Sequence, residues 1–262
     1  MTTDPTPRPR AIASGTSILC GLTPRRVVRW FVFAIALLTV LSVAEQYVIH
    51  ILGRADLEEY LIAVDLDAEG NIPTWYQSFT LLAASLLLAV VAAHTRARGG
   101  RYPGHWQVLS VILGILSMDE LAQIHEHLGR LHEAWQTHGI FYFAWVIPGA
   151  IAALVSLGLF ARFLWHLPAP IRTRFVLAGV IYFSGALGVE ALGGWRAETM
   201  GMNNMTHSLI ATGEEDLEMI GVATLIVALL RHMAVERMSL LISSADRAAL
   251  PSDAESAERA AA

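Results

Sequence analysis

The chain has a single cysteine, Cys20, and no lysine, so that all 18 of its basic residues are arginine. A lone cysteine excludes an intramolecular disulfide, a thiolate zinc cage and a Cys-x-x-Cys redox pair; any metal would have to be held by oxygen and nitrogen. Charge is scarce as well, at 16% of residues, and the formal net charge is -5. Without a basic stripe the chain is not expected to bind nucleic acid, because a polyanion is gripped by positive charge clustered on one face. What fills the sequence is apolar: 55% of residues are hydrophobic and the mean hydropathy is +0.50. That is too apolar for a water-soluble chain of 262 residues, and lipid is the expected solvent.

Runs of roughly 20 apolar residues, the length that crosses a hydrocarbon layer as helix, fall near 30–52, 74–95, 106–128, 140–165, 174–195 and 207–231. Backbone polar groups in lipid must pair within their own segment, and continuous apolar runs do not suit a β-barrel. The predicted class is therefore all-α, a polytopic bundle of about six transmembrane helices over 30–237, flanked by disordered cytoplasmic tails at 1–29 and 238–262. The stretch after Trp30 is too long and lacks the cleavage pattern of a removable signal, so it is expected to stay as the first span. Arg8, Arg10, Arg25, Arg26 and Arg29 precede that span, Arg96, Arg98 and Arg101 join the second to the third, Arg172 and Arg174 precede the fifth, and Arg231 and Arg237 follow the sixth. The opposite loops carry only Arg54, Arg130 and Arg196. This asymmetry predicts both termini in the cytoplasm of a bacterium, with the chain in its inner membrane.

Smaller features sort as structural. Leu57, Tyr60, Leu61 and Val64 recur at helical spacing and predict a short interfacial helix in the first outer loop. Asp65-x-Asp67-x-Glu69-Gly70 has the start of a calcium loop, but its twelfth position is Tyr76; a solvated acidic turn is expected there. Trp75, Tyr76, Tyr142 and Trp195 near the outer boundary and Trp30, Trp106 and Trp165 near the inner one are read as interfacial anchors. Pro148 is expected to kink the fourth span.

The unusual feature is a layer of carboxylates. At the helical rise, Glu45 lies about 22 Å across the membrane from the cytoplasmic side, Glu120 about 20 Å, Glu190 about 24 Å, and Glu214 and Glu218 at about 20 to 25 Å. Four spans thus deliver acids to one slab in the outer half, where an ionisable group is costly unless it faces the bundle interior, water or a partner. On an unbroken third helix Asp119, Glu120, Gln123, Glu126 and His127 form one polar stripe with His125 pointing elsewhere, while on the sixth His207, Glu214 and Glu218 align, with Glu215 on the flank and Asp216 nearly opposite. Gly185, Gly188, Gly193 and Gly194 around Glu190 are expected to let neighbouring helices approach.

Three uses of this layer stand open. Glu45, Glu120, Glu126, His127, Glu190, His207, Glu214 and Glu218 form the donor inventory of a divalent-metal site, iron or zinc, that would serve a lipid- or quinone-directed reaction. The same carboxylates could pass protons or cations, or bind a small molecule. Alternatively they pair among themselves and with Arg130 and Arg196 and fix helix packing. Membrane lipid is the expected partner in each case. The segments Asn71-Ile-Pro-Thr-Trp75, Ser117-Met-Asp-Glu120, His125-Glu126 and Glu214-Glu-Asp-Leu-Glu-Met-Ile-Gly221 together resemble an uncharacterised family of bacterial six-helix membrane proteins. That resemblance implies the architecture and no particular activity.

Overall fold

The computed structural model describes residues 24–129, 135–236 and 238. Most of the tails expected over 1–29 and 238–262 therefore fall outside the described residues, as does Arg130, and of Glu126 only the backbone is described; residues 24–29, expected to be disordered, instead open a helix that runs to His50. The structure is 84% helix, with no strand among the described residues. Its long helices are α1 (Pro24–His50), α2 (Ile72–Ala97), α3 (Pro103–Ala122), α4 (Val146–His166), α5 (Ala169–Met200) and α6 (Met205–Val235). Five of them, all except α3, are long and apolar enough to cross a membrane. Two ends of the bundle can be told apart: an acidic end, where the loop of residues 51–71 joins α1 to α2, and an arginine end, where Arg96, Arg98 and Arg101 lie between α2 and α3.

The helices are inverted relative to those of a water-soluble protein. On α1 the outward face is apolar, with Trp30 70% and Phe33 60% exposed. Its buried seam runs through Ile35, Leu38, Ser42, Glu45 and Gln46, steps of three and four residues that keep one face inward. Lipid tolerates the first face, and the second is hidden from it. α2 and α6 form the centre, with 44% of their apolar stretches buried, while α1 and α4, at 17% each, lie at the periphery.

α2 and α3 are fastened by two reciprocal serine pairs. The hydroxyl of Ser85 donates to the carbonyl of Ser110 at 2.7 Å, and Ser110 returns the bond at 2.9 Å. Two turns away, Ser78 donates to Ser117 at 2.7 Å and Ser117 to Ser78 at 2.8 Å. Small hydroxylated residues bring helices close where lipid offers no competing water. At the arginine end Phe163 lies edge-on to Trp106 at 4.8 Å, and His232 stacks on the same indole at 5.3 Å. Trp106 is thus a core residue rather than the interfacial anchor its position suggested.

α5 and α6 touch backbone to backbone. A Cβ on Gly221 would lie 2.8 Å from both N and Cβ of Tyr182, and one on Gly185 would lie 2.7 Å from the carbonyl of Glu214. Of the other glycines expected to ease helix packing, Gly188 has nothing within 4 Å, and Gly194 receives Tyr142 and Phe143 from the segment before α4.

Three expectations are corrected by the backbone. The third helix does not continue to 128: Gln123 adopts a left-handed conformation (φ 54°) and a separate short helix, Ile124–Gly129, starts beyond it. The fourth starts at Val146 instead of near 140, after a 3-10 turn at Gly139–Phe141. Pro148 therefore sits in the first turn of α4, where its missing N–H costs no hydrogen bond, and it does not kink the middle of the helix. The helical turns expected in the first loop are present over residues 55–64.

Gly221→Leu should lower the stability of the detergent-solubilised protein by about 1–3 kcal/mol, since the new side chain must displace the α5 backbone. Gly188→Ala, made in open space, should leave the thermal midpoint unchanged or slightly higher. Equal midpoints for the two variants would contradict the close α5–α6 approach.

Candidate functional site

At the acidic end, α3, α4, α5 and α6 splay around a cavity of about 700 Å³ that the first loop closes from above. Eight carboxyl groups line it: Asp67 and Glu69 from the loop, Asp119 and Glu120 from α3, Glu190 from α5, and Glu214, Glu215 and Glu218 from α6. His125 and His207 complete the titratable wall, and no arginine is part of it.

Local structure explains how the loop reaches the site. Asn71 caps α2, its Oδ1 accepting from the N–H and hydroxyl of Thr74 at 3.2 and 3.1 Å. The same side chain turns its Nδ2 to the carbonyls of Ile62 (2.9 Å), Asp65 (2.6 Å) and Ala68 (2.8 Å). One amide thereby ties the acidic segment to the first turn of α2. Gly70, at φ 72°, supplies the left-handed turn between them. Leu66 is the buried plug of the segment: it packs with Ile35, Leu38 and Met219, and its N–H donates to Ser42 Oγ at 2.9 Å. With Leu66 inward, Asp67 and Glu69 face the cavity.

The left-handed residue Gln123 redirects the chain so that His125 swings inward. Its ring joins α3 to the loop, Nδ1 lying 3.0 Å from Asp119 Oδ2 and Nε2 3.3 Å from Glu69 Oε1, and Asp119 also accepts the His125 N–H at 3.1 Å. The imidazole stands edge-on to Trp145 at 5.3 Å. Trp145 in turn donates its Nε1–H to Glu190 Oε1 at 2.6 Å, fixing the first turn of α4 to α5. Glu190 follows a π-helical stretch, Ser184–Val189, whose wider turn rotates everything beyond it relative to a regular helix. Gln77 Nε2 donates to Glu218 Oε2 at 3.3 Å.

Of the residues singled out by depth and spacing, Glu120, Glu190, His207, Glu214 and Glu218 meet in this cavity. Glu45 does not line it. It is 4% exposed in the α1 seam, one turn beyond Ser42, with Oε2 unpaired. His127 is exposed and turned back on its own helix, Nδ1 lying 2.6 Å from the Gln123 carbonyl. The Glu126 side chain lies outside the described residues. His125, expected to point elsewhere, is central. Asp216, which faces away from the cluster, is held by the hydroxyl of Thr39 at 2.6 Å.

The chemistry follows from the inventory. Two ionised groups at close range in a poorly polarisable site repel strongly, and an uncompensated buried charge costs several kcal/mol. Eight acids with at most two imidazolium counter-charges hold together only when protons or cations occupy the cavity. Arg196 does not supply the missing charge: it is not in the wall, and its Nη1 has no hydrogen-bond partner. A chelated metal ion is not supported either, for among the described residues no three His, Cys, Asp or Glu side chains are grouped to hold one. Both nitrogens of His125 are engaged by acids, and the carboxyls are spread over opposing walls.

Residues 30–233 match the family described as a domain of unknown function, DUF8692. No curated protein and no solved structure matches the chain.

Asn71→Ala should free the acidic loop. The expected result is faster amide hydrogen exchange over residues 65–71 and a loss of about 1 kcal/mol from the α2 cap. Unchanged protection in that loop would show that Asn71 does not hold it.

Proposed function

We propose that this chain, which belongs to the DUF8692 family, is a six-span protein of a bacterial inner membrane that binds cations, protons among them, in its outward-facing acidic cavity and carries them across. The single observation behind this reading is the wall of eight carboxyl groups without an arginine.

The topology is supported by charge. With the acidic end outward, Arg25, Arg26, Arg29, Arg96, Arg98, Arg101, Arg172, Arg174 and Arg231 all fall on the cytoplasmic side, as the orientation rule requires. Arg54 falls outside, but it is neutralised by Asp56 through two bonds of 2.8 Å, and the hydrogen bond keeps the Asp56 carboxyl below its ordinary range. α3 supplies the sixth span in this reading. Its 20 residues reach about 30 Å, and it is fastened to α2 by the two serine pairs.

Carriage is supported from the other end of the bundle. His94 Nε2 and His232 Nδ1 are buried there without partners, protonatable groups on the route to the cytoplasm. Between Glu218 and His232 lie about 21 Å of α6, and beside His232 aromatic side chains from α3, α4 and α5 pack together around Trp106. This conformation is closed inward, so passage needs a second arrangement. α4 is the helix suited to move: it buries Val146, Phe160 and Phe163 and nothing between them. A divalent metal serving a lipid- or quinone-directed reaction is the second reading; it has the unpaired Nδ1 of His207 in the cavity wall as one donor but no group of three donors among the described residues.

Purified protein in proteoliposomes should collapse an imposed pH gradient in a cation-dependent way, read by a pH-sensitive dye, and Glu214→Gln and Glu218→Gln should abolish the response. Vesicles indistinguishable from empty ones would overturn carriage. Stoichiometric iron or zinc in protein purified without a histidine tag, lost in Glu120→Ala and Glu218→Ala, would transfer support to the metal reading. A fluorescent protein fused after Ala262 should fluoresce, as it does only on the cytoplasmic side; a dark fusion would reverse the orientation.

A further inference from the structure

We infer that the cation is an amphipathic organic amine, its ammonium group in the carboxyl cluster and its apolar part in a slot beneath it. This rests on the cation-binding reading above and specifies its ligand.

The cavity changes character with depth. On α3, Ile112 lies eight residues below Glu120; on α5, Phe183 lies seven below Glu190; on α4, Ala153 lies eight beyond Trp145. At the helical rise these three residues share a layer about 10–12 Å below the acids. Leu116, Ala152 and Leu187 also line the cavity, so its lower part is walled mostly by hydrocarbon, with Ser156 and Tyr182 as its polar residues. Phe183 is both part of that wall and exposed on the outside of the bundle, and the neighbouring face of α4 has no buried residue between Val146 and Phe160. The slot therefore borders the lipid beside α4 and α5. A molecule seated in it has its charged group outward and its apolar end toward the middle of the bilayer, the orientation of an outer-leaflet lipid.

Size and donor geometry favour an organic occupant over a bare ion. A volume of about 700 Å³ falls within the range of organic-ligand sites, and no three side chains converge as a dehydrated metal ion would need. Independently of the acids, one buried polar atom of the wall lacks a partner. His207 lines the cavity at 5% exposure with Nδ1 unpaired. That nitrogen accepts a hydrogen bond when the ring proton sits on Nε2. A ligand with positive charge and N–H donors satisfies it together with the carboxylates, which a quaternary ammonium could not do. Trp145, Tyr142 and Phe143 add aromatic faces at the mouth, favourable to an organic cation.

The test uses the full chain in nanodiscs and dansylcadaverine, a primary amine joined to a fluorescent apolar group. The control is dansyl pentylamide, which has the same fluorophore and no amine. Tryptophan-sensitised dansyl emission, corrected for empty nanodiscs, should saturate with the amine and not with the control. Glu214→Gln should weaken binding about tenfold or more, the loss expected for one charge-assisted hydrogen bond. Ala153→Phe, which fills the slot, should weaken it to a similar degree while the thermal melt remains that of the wild type. Equal binding of the neutral control, or undiminished affinity in a folded Ala153→Phe variant, overturns the inference. A wild-type protein that dissipates the pH gradient with inorganic cations but does not bind dansylcadaverine leaves carriage standing and refutes the amine; failure in both assays refutes both.

Discussion

Like charges confined in a poorly polarisable space govern this structure. Each ionisable group placed within a bilayer costs a few kcal/mol unless it finds water, a partner or a counter-charge, and here three helices and a loop converge on one cavity with eight carboxyl groups. The rest of the fold can be understood as what keeps that arrangement in place. The inverted α1, apolar outward and carrying Ser42, Glu45 and Gln46 inward, turns polar groups away from lipid. The serine pairs between α2 and α3 and the glycine contacts between α5 and α6 hold four helices at fixed separations. Rigid walls matter because repelling groups would otherwise drift apart.

The loop closes the cavity by a short chain of dependent contacts. Asn71 fastens residues 62–68 to the start of α2, Leu66 anchors them in the hydrophobic seam of α1 and α6, and Glu69 meets His125. His125 can do this only because Gln123 breaks the helix before it. A single imidazole thus carries the only bridging contact between an α3 acid and a loop acid among the described ion pairs. Beyond it, Trp145 links the same corner to α4.

Length and hydrophobicity made the long helices legible, with ends off by up to about six residues, because a long apolar run whose backbone must pair within itself reads as helix. Depth along those spans was enough to bring Glu120, Glu190, Glu214 and Glu218 together. What remained hidden depended on departures from regular helix. A left-handed glutamine has no local signature, so His125 and His127 exchanged roles. The inward fold of Leu66 depends on a hydroxyl 24 residues away on α1, which no nearby pattern reports; Asp67 and Glu69 consequently read as acids left to water. Glu45 matched the others in depth but not in direction, since the wall of the cavity passes beside α1 and not through it.

α4 ties these observations into one argument. It is held at one end by the Trp145–Glu190 bond and at the other by Phe160 and Phe163 against the aromatic cluster, with no buried residue between. The middle of a helix so supported contributes little to stability, and the small residues Gly149, Ala152 and Ala153 that it turns to the cavity leave space where a packed core would put leucine. Its outer attachment is a hydrogen bond to one of the carboxyls whose charge any bound cation would compensate. Whatever neutralises Glu190 also weakens the acceptor that keeps Trp145, and with it α4, in place. A cation bound beside Glu190 would therefore be coupled through that bond to the position of α4.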